Sequence, residues 1–338
     1  MKKVLLSAFA LATFATAANA QTIIAESFNS QAVGSLAPDA TGTAPGATGF
    51  YTEGNDPYDF YVMPLDPAYG NSVMVLNGAG AASTDTRYAY KEITATPAAG
   101  NTIIKGTVDI NTGNRTGNAI AHFSVYNWTS DGLKLLTGAG YNANALTTTG
   151  NLIGMGRFTA NATNVTSNYN ITLGTTQIPS NTWIRMGFTY NPATGETRWA
   201  TPAGTYVSTS ITTLTSLPNI GAATDLFIIS TPGTGNSAST DIYFDNLNVE
   251  YSNNTTLNLE ETPIKATGVM VYPNPTSDVV KITAKSKVDA VEIFDLSGKK
   301  IAAEVKNNEV DVRSYAPGTY LINVITKDGK TMTKFIKN

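Results

Sequence analysis

Cysteine is absent from this sequence of 338 residues. Disulfide bonds and a lipid anchor attached to cysteine are therefore excluded, so packing, alone or with a bound metal ion, must stabilise the fold. His122 is the only histidine. Zinc sites built from two or three histidines are therefore also excluded.

Familiar catalytic motifs are missing as well. The chain has no Gly-x-Ser-x-Gly elbow and no phosphate-binding glycine loop. His122 lies in a strand-like segment in phase with Ser124 and Tyr126, which favours a structural or exposed histidine over a catalytic base. Two carboxylates from distant segments could still meet in a cleft, but their spacing does not identify them. The sequence therefore predicts no catalytic residue.

Long apolar runs are scarce, and the clearest one occupies residues 4–16. It follows the basic pair Lys2 and Lys3 and precedes the small-residue segment at 18–20. This combination is typical of a secretory signal peptide, here residues 1–20. The run is shorter than the roughly 20 residues that span a bilayer. We therefore expect passage through the periplasm after cleavage, and no transmembrane segment.

Basic residues are few between residues 21 and 255, where acidic residues outnumber them. Nucleic acid and anionic lipid require basic patches, so neither is an expected partner. The same region is rich in Thr, Asn, Gly, Ala and Ser, and turn residues punctuate its short apolar runs. Because no long amphipathic helix pattern occurs, we predict an all-β sandwich or barrel.

A predicted hairpin and the segment that closes this region resemble a known fold. Residues 183–190 alternate apolar and polar side chains, and an Asn-Pro-x-Thr-Gly turn at 191–195 leads into a return strand at 196–200. Residues 241–249 are similar to the last strand of many carbohydrate-binding modules. Together they resemble concanavalin A-like and laminin-G-like jelly rolls. The resemblance implies a jelly-roll-type β-sandwich passenger domain at 21–251, followed by a linker at 252–268.

Three sequence blocks follow one another near the C-terminus: Val-Tyr-Pro-Asn-Pro-Thr at 271–276, Val-Glu-Ile-Phe-Asp-Leu-Ser-Gly-Lys at 291–299 and Ala-Pro-Gly-Thr-Tyr at 316–320. In this order, and with the basic apolar end that follows, they resemble the type A C-terminal sorting domain of the type IX secretion system of Bacteroidetes. The resemblance implies a small immunoglobulin-like β-sandwich at 269–338, the type IX secretion machinery as a partner, and a secreted or cell-surface product. The motif residues are Tyr272, Pro273, Asn274, Pro275, Asp295, Gly298, Pro317, Gly318, Tyr320 and Lys334.

Two carboxylates lie on otherwise apolar strand faces. Asp245 is in phase with Tyr243 and Leu247, and Glu26 alternates within the apolar first strand. A buried carboxylate without a partner is costly, so each needs a cation or several donors. The first and last strands of carbohydrate-binding jelly rolls are commonly neighbours, so we predict that Glu26 and Asp245 share a structural calcium ion. The alternative is that both lie at strand ends, solvated or paired with arginine.

Residues 50–61 are unusually aromatic and acidic for a loop. Aromatic faces stack on sugar rings and carboxylates accept hydrogen bonds from hydroxyls, so this segment is a candidate binding site. The candidate ligand-binding residues are Tyr51, Glu53, Asp56, Tyr58 and Tyr61. Alternatively, several of these rings close one end of the sandwich. Trp128, Trp183 and Trp199 are equally open to a buried or an exposed position.

These observations predict a secreted or cell-surface protein that binds glycans or mediates adhesion. The first alternative is a jelly-roll hydrolase or lyase that acts on polysaccharide, although the Glu-x-Asp-x-x-Glu strand of laminarinase-type enzymes is absent. The second alternative is a structural surface protein without a small ligand. A shallow aromatic platform would favour binding, and a groove with two facing carboxylates would favour catalysis.

Overall fold

The computed structural model describes residues 20–54, 56–66, 70–76, 86–113, 117–143, 150–233, 235–236, 238, 240–257, 259, 269–273, 275–284, 286–295, 299–327 and 329–338. The predicted signal peptide, apart from its last residue, lies outside the described residues, as does most of the C-terminal half of the predicted linker. The described chain consists of strands and turns, with short 3₁₀ helices at Pro57–Asp59 and Ser208–Ser210. Within it, no helix is long and apolar enough to cross a membrane.

The strands of the passenger domain form two large antiparallel sheets. In chain order they are β1 (Gln21–Glu26), β2 (Gly34–Ser35), β3 (Tyr51–Glu53), β4 (Phe60–Asp66), β5 (Gly70–Leu76), β6 (Arg87–Glu92), β7 (Ile103–Asn111), β8 (Ala119–Thr129), β9 (Gly132–Ala143), β10 (Asn151–Ala160), β11 (Val165–Thr172), β12 (Trp183–Tyr190), β13 (Thr197–Thr201), β14 (Gly204–Val207), β15 (Leu214–Ser216), β16 (Asp225–Pro232) and β17 (Asp241–Ser252). Sheet 1 has the order β14-β13-β12-β7-β17-β5-β4-β2, with β1 paired to β17. Sheet 2 has the order β11-β10-β9-β8-β16-β6-β3, with β15 paired to β10.

An apolar core fills the space between the facing surfaces of the two sheets. On β12 the side chains of Ile184, Met186 and Phe188 all lie in this core, as the alternation predicts. Trp199 on β13 is fully buried, and its indole N–H donates to the carbonyl of Gly138 on sheet 2 at 3.1 Å. Burial of each such large apolar side chain contributes roughly 1.5–3 kcal/mol. The predicted hairpin is confirmed, because β12 pairs antiparallel with β13.

A bulge in β17 changes the face that its side chains occupy. The register with β7 shifts after Asp245, where Asn246 adopts a left-handed φ of 47°. Phe244 faces the core before the bulge, and Leu247 faces it afterwards. The prediction that Asp245 shares a face with Leu247 is therefore wrong, because the inserted residue breaks the period of two. Asp245 lies on the outer face of sheet 1, opposite Asp109 on β7.

The C-terminal region forms a second, smaller β-sandwich. Its strands are β18 (Met270–Tyr272), β19 (Val279–Thr283), β20 (Val288–Asp295), β21 (Lys300–Ile301), β22 (Val305–Lys306), β23 (Glu309–Asp311), β24 (Gly318–Thr326) and β25 (Gly329–Lys337). They make two four-stranded sheets, β18-β19-β23-β22 and β21-β20-β24-β25. A separate core that includes Val280, Ile293, Ile322 and Phe335 lies between them. The predicted all-β fold, a jelly-roll-type sandwich followed by a small immunoglobulin-like sandwich, is confirmed.

The C-terminal sandwich packs against the outer face of sheet 1. The buried apolar side chains of this contact are Tyr61, Met63, Leu65, Trp183, Tyr243 and Leu321. Lys334 on β25 forms an ion pair with Asp241 on β17, with an N–O distance of 2.6 Å and side chains that are 3% and 6% exposed. The C-terminal sandwich therefore covers the part of the outer face of sheet 1 around β4, β12 and β17. The outer face of sheet 2 lies on the opposite side of the passenger domain.

Candidate functional site

The outer face of sheet 2 carries a row of aromatic side chains. Side chains alternate across a strand, and the register of this sheet places Tyr51 of β3 opposite Tyr90 of β6. Tyr90 in turn lies opposite Phe227 of β16. In the next row, Glu53 lies opposite Tyr88. Strands that are far apart in the sequence thus assemble one aromatic surface.

An open groove of about 300 Å³ lies on this surface. Its lining residues are Glu53, Tyr88, Tyr90, Trp128, Leu133 and Phe227. Trp128 lies near the end of β8, opposite Leu133 of β9, and is 53% exposed. An indole placed in this way leaves a broad apolar surface in contact with solvent. We refer to these six residues as the aromatic groove.

The rings of the aromatic groove hold one another in place. The ring of Tyr90 stacks on that of Tyr51 with centroids 5.3 Å apart, and on that of Phe227 with centroids 5.5 Å apart. Trp128 meets Tyr90 edge to face at 6.5 Å. These separations lie within the range of favourable aromatic pairs. Mutual packing therefore forms the groove before any ligand binds, as is usual for ligand sites.

The charges near the aromatic groove are acidic. The hydroxyl of Tyr90 hydrogen-bonds to Glu53, and burial together with the Glu53 charge raises the pKa of Tyr90 to about 12. Glu92 lies opposite Asp225 in the adjoining row. Burial is the main cause of a raised pKa at Asp225, and the charge of Glu92 adds to it. The site can therefore accept hydrogen bonds or attract a cation.

The predicted binding segment divides between the two sheets. Tyr51 and Glu53 contribute to the aromatic surface of sheet 2. Asp56 instead caps the short helix that follows, accepting from the backbone N–H of Tyr58 at 2.8 Å. Tyr58 is 37% exposed and its ring centroid lies 5.9 Å from that of Tyr61, which is fully buried against the C-terminal sandwich. The structure thus brings two of the five candidate residues to the groove region.

The three tryptophans occupy three different environments. Trp199 fills the core between the sheets. Trp183 points to the outer face of sheet 1 but is buried there beneath the C-terminal sandwich. Trp128 alone of the three is exposed, and it lines the aromatic groove. Sequence reasoning singled out Trp128 without placing it, and it did not identify Tyr88, Tyr90, Leu133 or Phe227 as site residues. The pairing of strands distant in sequence is the information that was missing.

Asp245 is buried on the outer face of sheet 1. Its carboxyl group accepts a hydrogen bond from the backbone N–H of Asn246 at 2.7 Å and one from the Ser72 hydroxyl at 3.3 Å. The pKa of Asp245 is raised to about 8: burial is the main cause, the charges of Asp109 and Glu26 contribute, and the two hydrogen bonds offset part of the increase. The protonated form of Asp245 is therefore favoured near neutral pH.

The two carboxylates of the predicted calcium site do not face each other directly. The pairing of β1 with β17 places Glu26 on the core side of the bulge, where its carboxylate accepts the backbone N–H of Phe28 at 2.7 Å. Asp109, the acidic neighbour of Asp245, is held by two hydrogen bonds of 2.7 Å from Arg185. Calcium requires roughly 6 to 8 oxygen ligands. Within the described residues no three acidic, histidine or cysteine side chains converge, so backbone carbonyls and neutral side chains would have to supply most of the ligands. The calcium hypothesis stays a prediction.

His122 is buried within sheet 2. Its Nδ1 atom lies 2.6 Å from the hydroxyl oxygen of Ser124, and burial lowers the pKa of His122 to about 4. The imidazole is therefore neutral near pH 7 and packs as part of the sheet. This placement is that of a structural histidine.

The motif residues near the C-terminus mostly support the small sandwich itself. Asn274 and Gly298 lie outside the described residues. The ring of Tyr320 stacks on that of Phe335 with centroids 5.5 Å apart. Lys334 differs from Tyr320, because its ammonium group forms an ion pair with Asp241 of the passenger domain. One residue of the sorting motif thus also forms an interdomain contact.

No curated protein matches the chain by sequence. Solved structures with a similar fold include the carbohydrate esterase vb_24B_21 of the Shiga toxin-encoding bacteriophage phi24B, with a TM-score of 0.45, 15% identity and coverage of 69% of this chain and 99% of that chain. A second is the CBM2 module of the evolved Dit of Lactobacillus casei BL23 phage J-1, with a TM-score of 0.39, 9% identity and coverage of 70% of this chain and 98% of that chain. A third is a Bacteroides ovatus GH16 protein from a mixed linkage glucan PUL, with a TM-score of 0.37, 9% identity and coverage of 59% of this chain and 94% of that chain. These likenesses concern the fold, and they transfer neither ligand nor reaction to this chain.

Residues 270–338 match the family model of the secretion system C-terminal sorting domain. The match begins at β18 and covers all three motif blocks and the small sandwich. Such a domain indicates export by the type IX secretion system to the cell surface or the extracellular space, with the secretion machinery as a partner. The C-terminal sandwich therefore belongs to the secretion system C-terminal sorting domain family.

Proposed function

We propose that the exported chain is a saccharide-binding protein that holds its ligand in the aromatic groove of sheet 2. The observation that carries this proposal is the exposed indole of Trp128 in an open groove lined by three further aromatic rings. The sorting domain packs against part of the outer face of sheet 1, on the opposite side of the passenger domain, so it does not cover the groove. Binding of surface glycans through this groove would also serve adhesion.

The chemistry of the groove suits a sugar. The C–H faces of pyranose rings are apolar and pack against aromatic faces, while their hydroxyls need polar partners. Trp128 supplies the exposed ring, and the Glu53 carboxylate supplies a hydrogen-bond acceptor at the edge of the aromatic surface. A mainly apolar groove with few polar groups is the usual composition of a small-ligand site.

The proposed site retains part of the predicted binding segment. Glu53 lines the groove, and Tyr51 supports it by stacking on Tyr90. Tyr58 lies next to the buried Tyr61, away from the groove, and Asp56 is committed to capping a helix. Tyr58 therefore serves as the test of whether the predicted segment binds ligand independently of the groove.

Polysaccharide hydrolysis is less well supported than binding. Glycosidases commonly use two carboxyl groups that flank the scissile bond. Among the six described residues that line the groove, Glu53 is the single carboxylate. Binding therefore accounts for the groove with fewer assumptions, and we propose no reaction.

A glycan array probed with the purified full-length chain tests the proposal. Calorimetry on the best ligand should then show that Trp128→Ala weakens binding by roughly three- to tenfold, because a stacked ring contributes about 0.5–1.5 kcal/mol beyond its buried area. The melting temperature should change little, because Trp128 is half exposed.

Tyr58→Ala is the matched control, since it removes another exposed aromatic ring outside the groove. We expect its affinity to equal that of the original protein. Loss of binding in Tyr58→Ala with full binding in Trp128→Ala would move the site to the predicted segment. An array with no bound glycan would remove the proposed function.

A further inference from the structure

The charge distribution around the aromatic groove defines which saccharides it can accept. Glu53 is the charged residue in its described lining. Glu92 and Asp225 lie opposite each other in the adjoining row of the same face. The charge of Glu92 contributes to the raised pKa of both Tyr90 and Asp225, so these groups act on one another. The groove therefore lies in a negative electrostatic field.

Basic side chains on the neighbouring strands point away from the groove. Lys91 alternates with Tyr90 on β6, and its ammonium group donates to the carbonyl of Thr48 at 2.7 Å on the other face of the sheet. Lys134 alternates with Leu133 on β9 and lies 3.6 Å from the carboxylate of Asp131. The basic residues closest in sequence to the groove are thus engaged elsewhere.

The buried Arg87 at the start of β6 is engaged in the same way. Its guanidinium lies 2.7 Å from the carboxylate of Asp59, and both side chains are almost fully buried. This pair fixes the segment that follows β3, and its positive charge is compensated locally. Uronate or sulfate groups would therefore meet carboxylates in the groove without a described cation to receive them.

A ligand ammonium group would instead meet two favourable features at once. The Glu53 carboxylate provides a negative charge, and the faces of Trp128 and Tyr88 provide the negative potential of aromatic rings. Both attractions strengthen where the groove excludes water.

We propose that the aromatic groove selects amino sugars, that is, saccharides that carry a free ammonium group, over neutral and anionic ones. The proposal rests on the proposed saccharide-binding function and adds its ligand class. Glu53 determines this specificity by pairing with the ammonium group, and Trp128 supplies stacking to any sugar.

Isothermal titration calorimetry with matched linear oligosaccharides tests the selection. The probes are the hexamers of β-1,4-glucosamine, β-1,4-glucose and galacturonic acid, used at low salt and at a mildly acidic pH that protonates the glucosamine amines. We expect the full-length chain to bind the glucosamine hexamer about tenfold more tightly than the glucose hexamer, and the galacturonate hexamer most weakly. Added salt should reduce the preference, because it screens the ion pair.

Two variants separate charge from stacking. Glu53→Gln keeps the size of the side chain and its hydrogen bonding to Tyr90, and it should abolish most of the preference for glucosamine. Glu304→Gln removes the same charge from an exposed site on the sorting domain and should leave the preference as it was. Trp128→Ala should weaken the glucosamine and glucose hexamers together.

The outcomes distinguish the two levels of the proposal. Equal affinity for the glucosamine and glucose hexamers, or a preference that survives Glu53→Gln, would overturn the selection of amino sugars and leave saccharide binding standing. Absence of binding to every hexamer and to the glycan array would overturn the saccharide-binding function itself.

Discussion

Asp245 is an acidic side chain whose burial favours its protonated form. Its pKa in the folded protein is about 8, compared with an ordinary value of 3.8. Between these two values the folded protein retains a proton that the unfolded chain releases. The contribution of Asp245 to the stability of the fold is therefore fully present below about pH 3.8, and it is lost as the pH rises through about 8.

The expected effect is a decline in unfolding free energy of up to ~1.4 kcal/mol per pH unit over that range. Asp245→Asn keeps the size of the side chain but cannot titrate, so it should remove this part of the pH dependence. Urea denaturation at a series of pH values, with chelator present, measures the difference. Asp131→Asn changes an exposed carboxylate and serves as the control. Parallel profiles for Asp245→Asn and the original protein would show that Asp245 does not hold the proton.

The same proteins test the calcium proposal for Glu26 and Asp245. If an ion binds there, calcium stabilises the folded state by RT ln(1 + [L]/Kd), about 2.7 kcal/mol at a hundredfold excess over Kd. We expect calcium to raise the melting temperature of the original protein, and Asp245→Asn to abolish that response. Identical melting curves in calcium and in chelator would eliminate the metal site.

At the scale of single elements, the bulge in β17 decides which side chains reach the core. Asn246 holds a left-handed φ of 47°, and its side-chain amide donates to Asp109 at 2.8 Å. Asparagine tolerates this conformation better than residues such as alanine, for which it costs roughly 1–2 kcal/mol. The position therefore combines a backbone requirement with a partly buried polar contact.

Replacement of Asn246 separates these two contributions. Asn246→Gly keeps the backbone freedom and loses the hydrogen bond, whereas Asn246→Ala loses both. Chemical denaturation should show Asn246→Ala to be less stable than Asn246→Gly by about 1 kcal/mol. The same pair of substitutions at Asn164, which has a φ of 54° in the turn between β10 and β11, provides a reference for the backbone effect alone. Equal stability of the two Asn246 variants would show that the bulge does not constrain this residue.

Sequence patterns predicted the elements better than their arrangement. The alternation in residues 183–190 gave both the strand and its core face, because side-chain period is a local property. The face of Asp245 was predicted wrongly, because the bulge at Asn246 inserts one residue into β17. The amino-acid composition of a strand does not reveal such an insertion. The aromatic groove combines β3, β6, β8, β9 and β16, which only the order of strands in sheet 2 brings together. Periodicity carries no information about that order.

At the scale of the whole molecule, the sorting domain makes buried contacts with the passenger domain in addition to directing export. Its C-terminal strand supplies Lys334 to Asp241 of the passenger, and Thr333 hydrogen-bonds to the buried Tyr243. Removal of the sorting domain would expose Tyr243 and Trp183 to solvent and leave Asp241 without this ion pair. The apolar exposure alone would cost a few kcal/mol, at roughly 1.5–3 kcal/mol for each large side chain. We therefore expect the sorting domain to stabilise the passenger domain.

The buried ion pair provides the test of this dependence. Lys334→Met leaves Asp241 buried without its partner, and loss of one member of such a pair costs about 3–5 kcal/mol. Asp241→Asn combined with Lys334→Met removes both charges and should recover a large part of that loss, as a double-mutant cycle of unfolding free energies would measure. Lys281→Met, which removes a half-exposed lysine paired with Glu309 within the sorting domain, should change stability by less than about 1 kcal/mol. Additive effects of the Asp241 and Lys334 substitutions would show that these two side chains do not interact in solution.

Export in the native host tests a second role of Lys334. Asp241→Asn leaves every residue of the sorting motif intact. If the secretion machinery recognises Lys334 directly, Asp241→Asn should therefore be exported in larger amounts than Lys334→Met. Equal export defects in the two variants would indicate instead that docking of the sorting domain onto sheet 1 is itself what export requires.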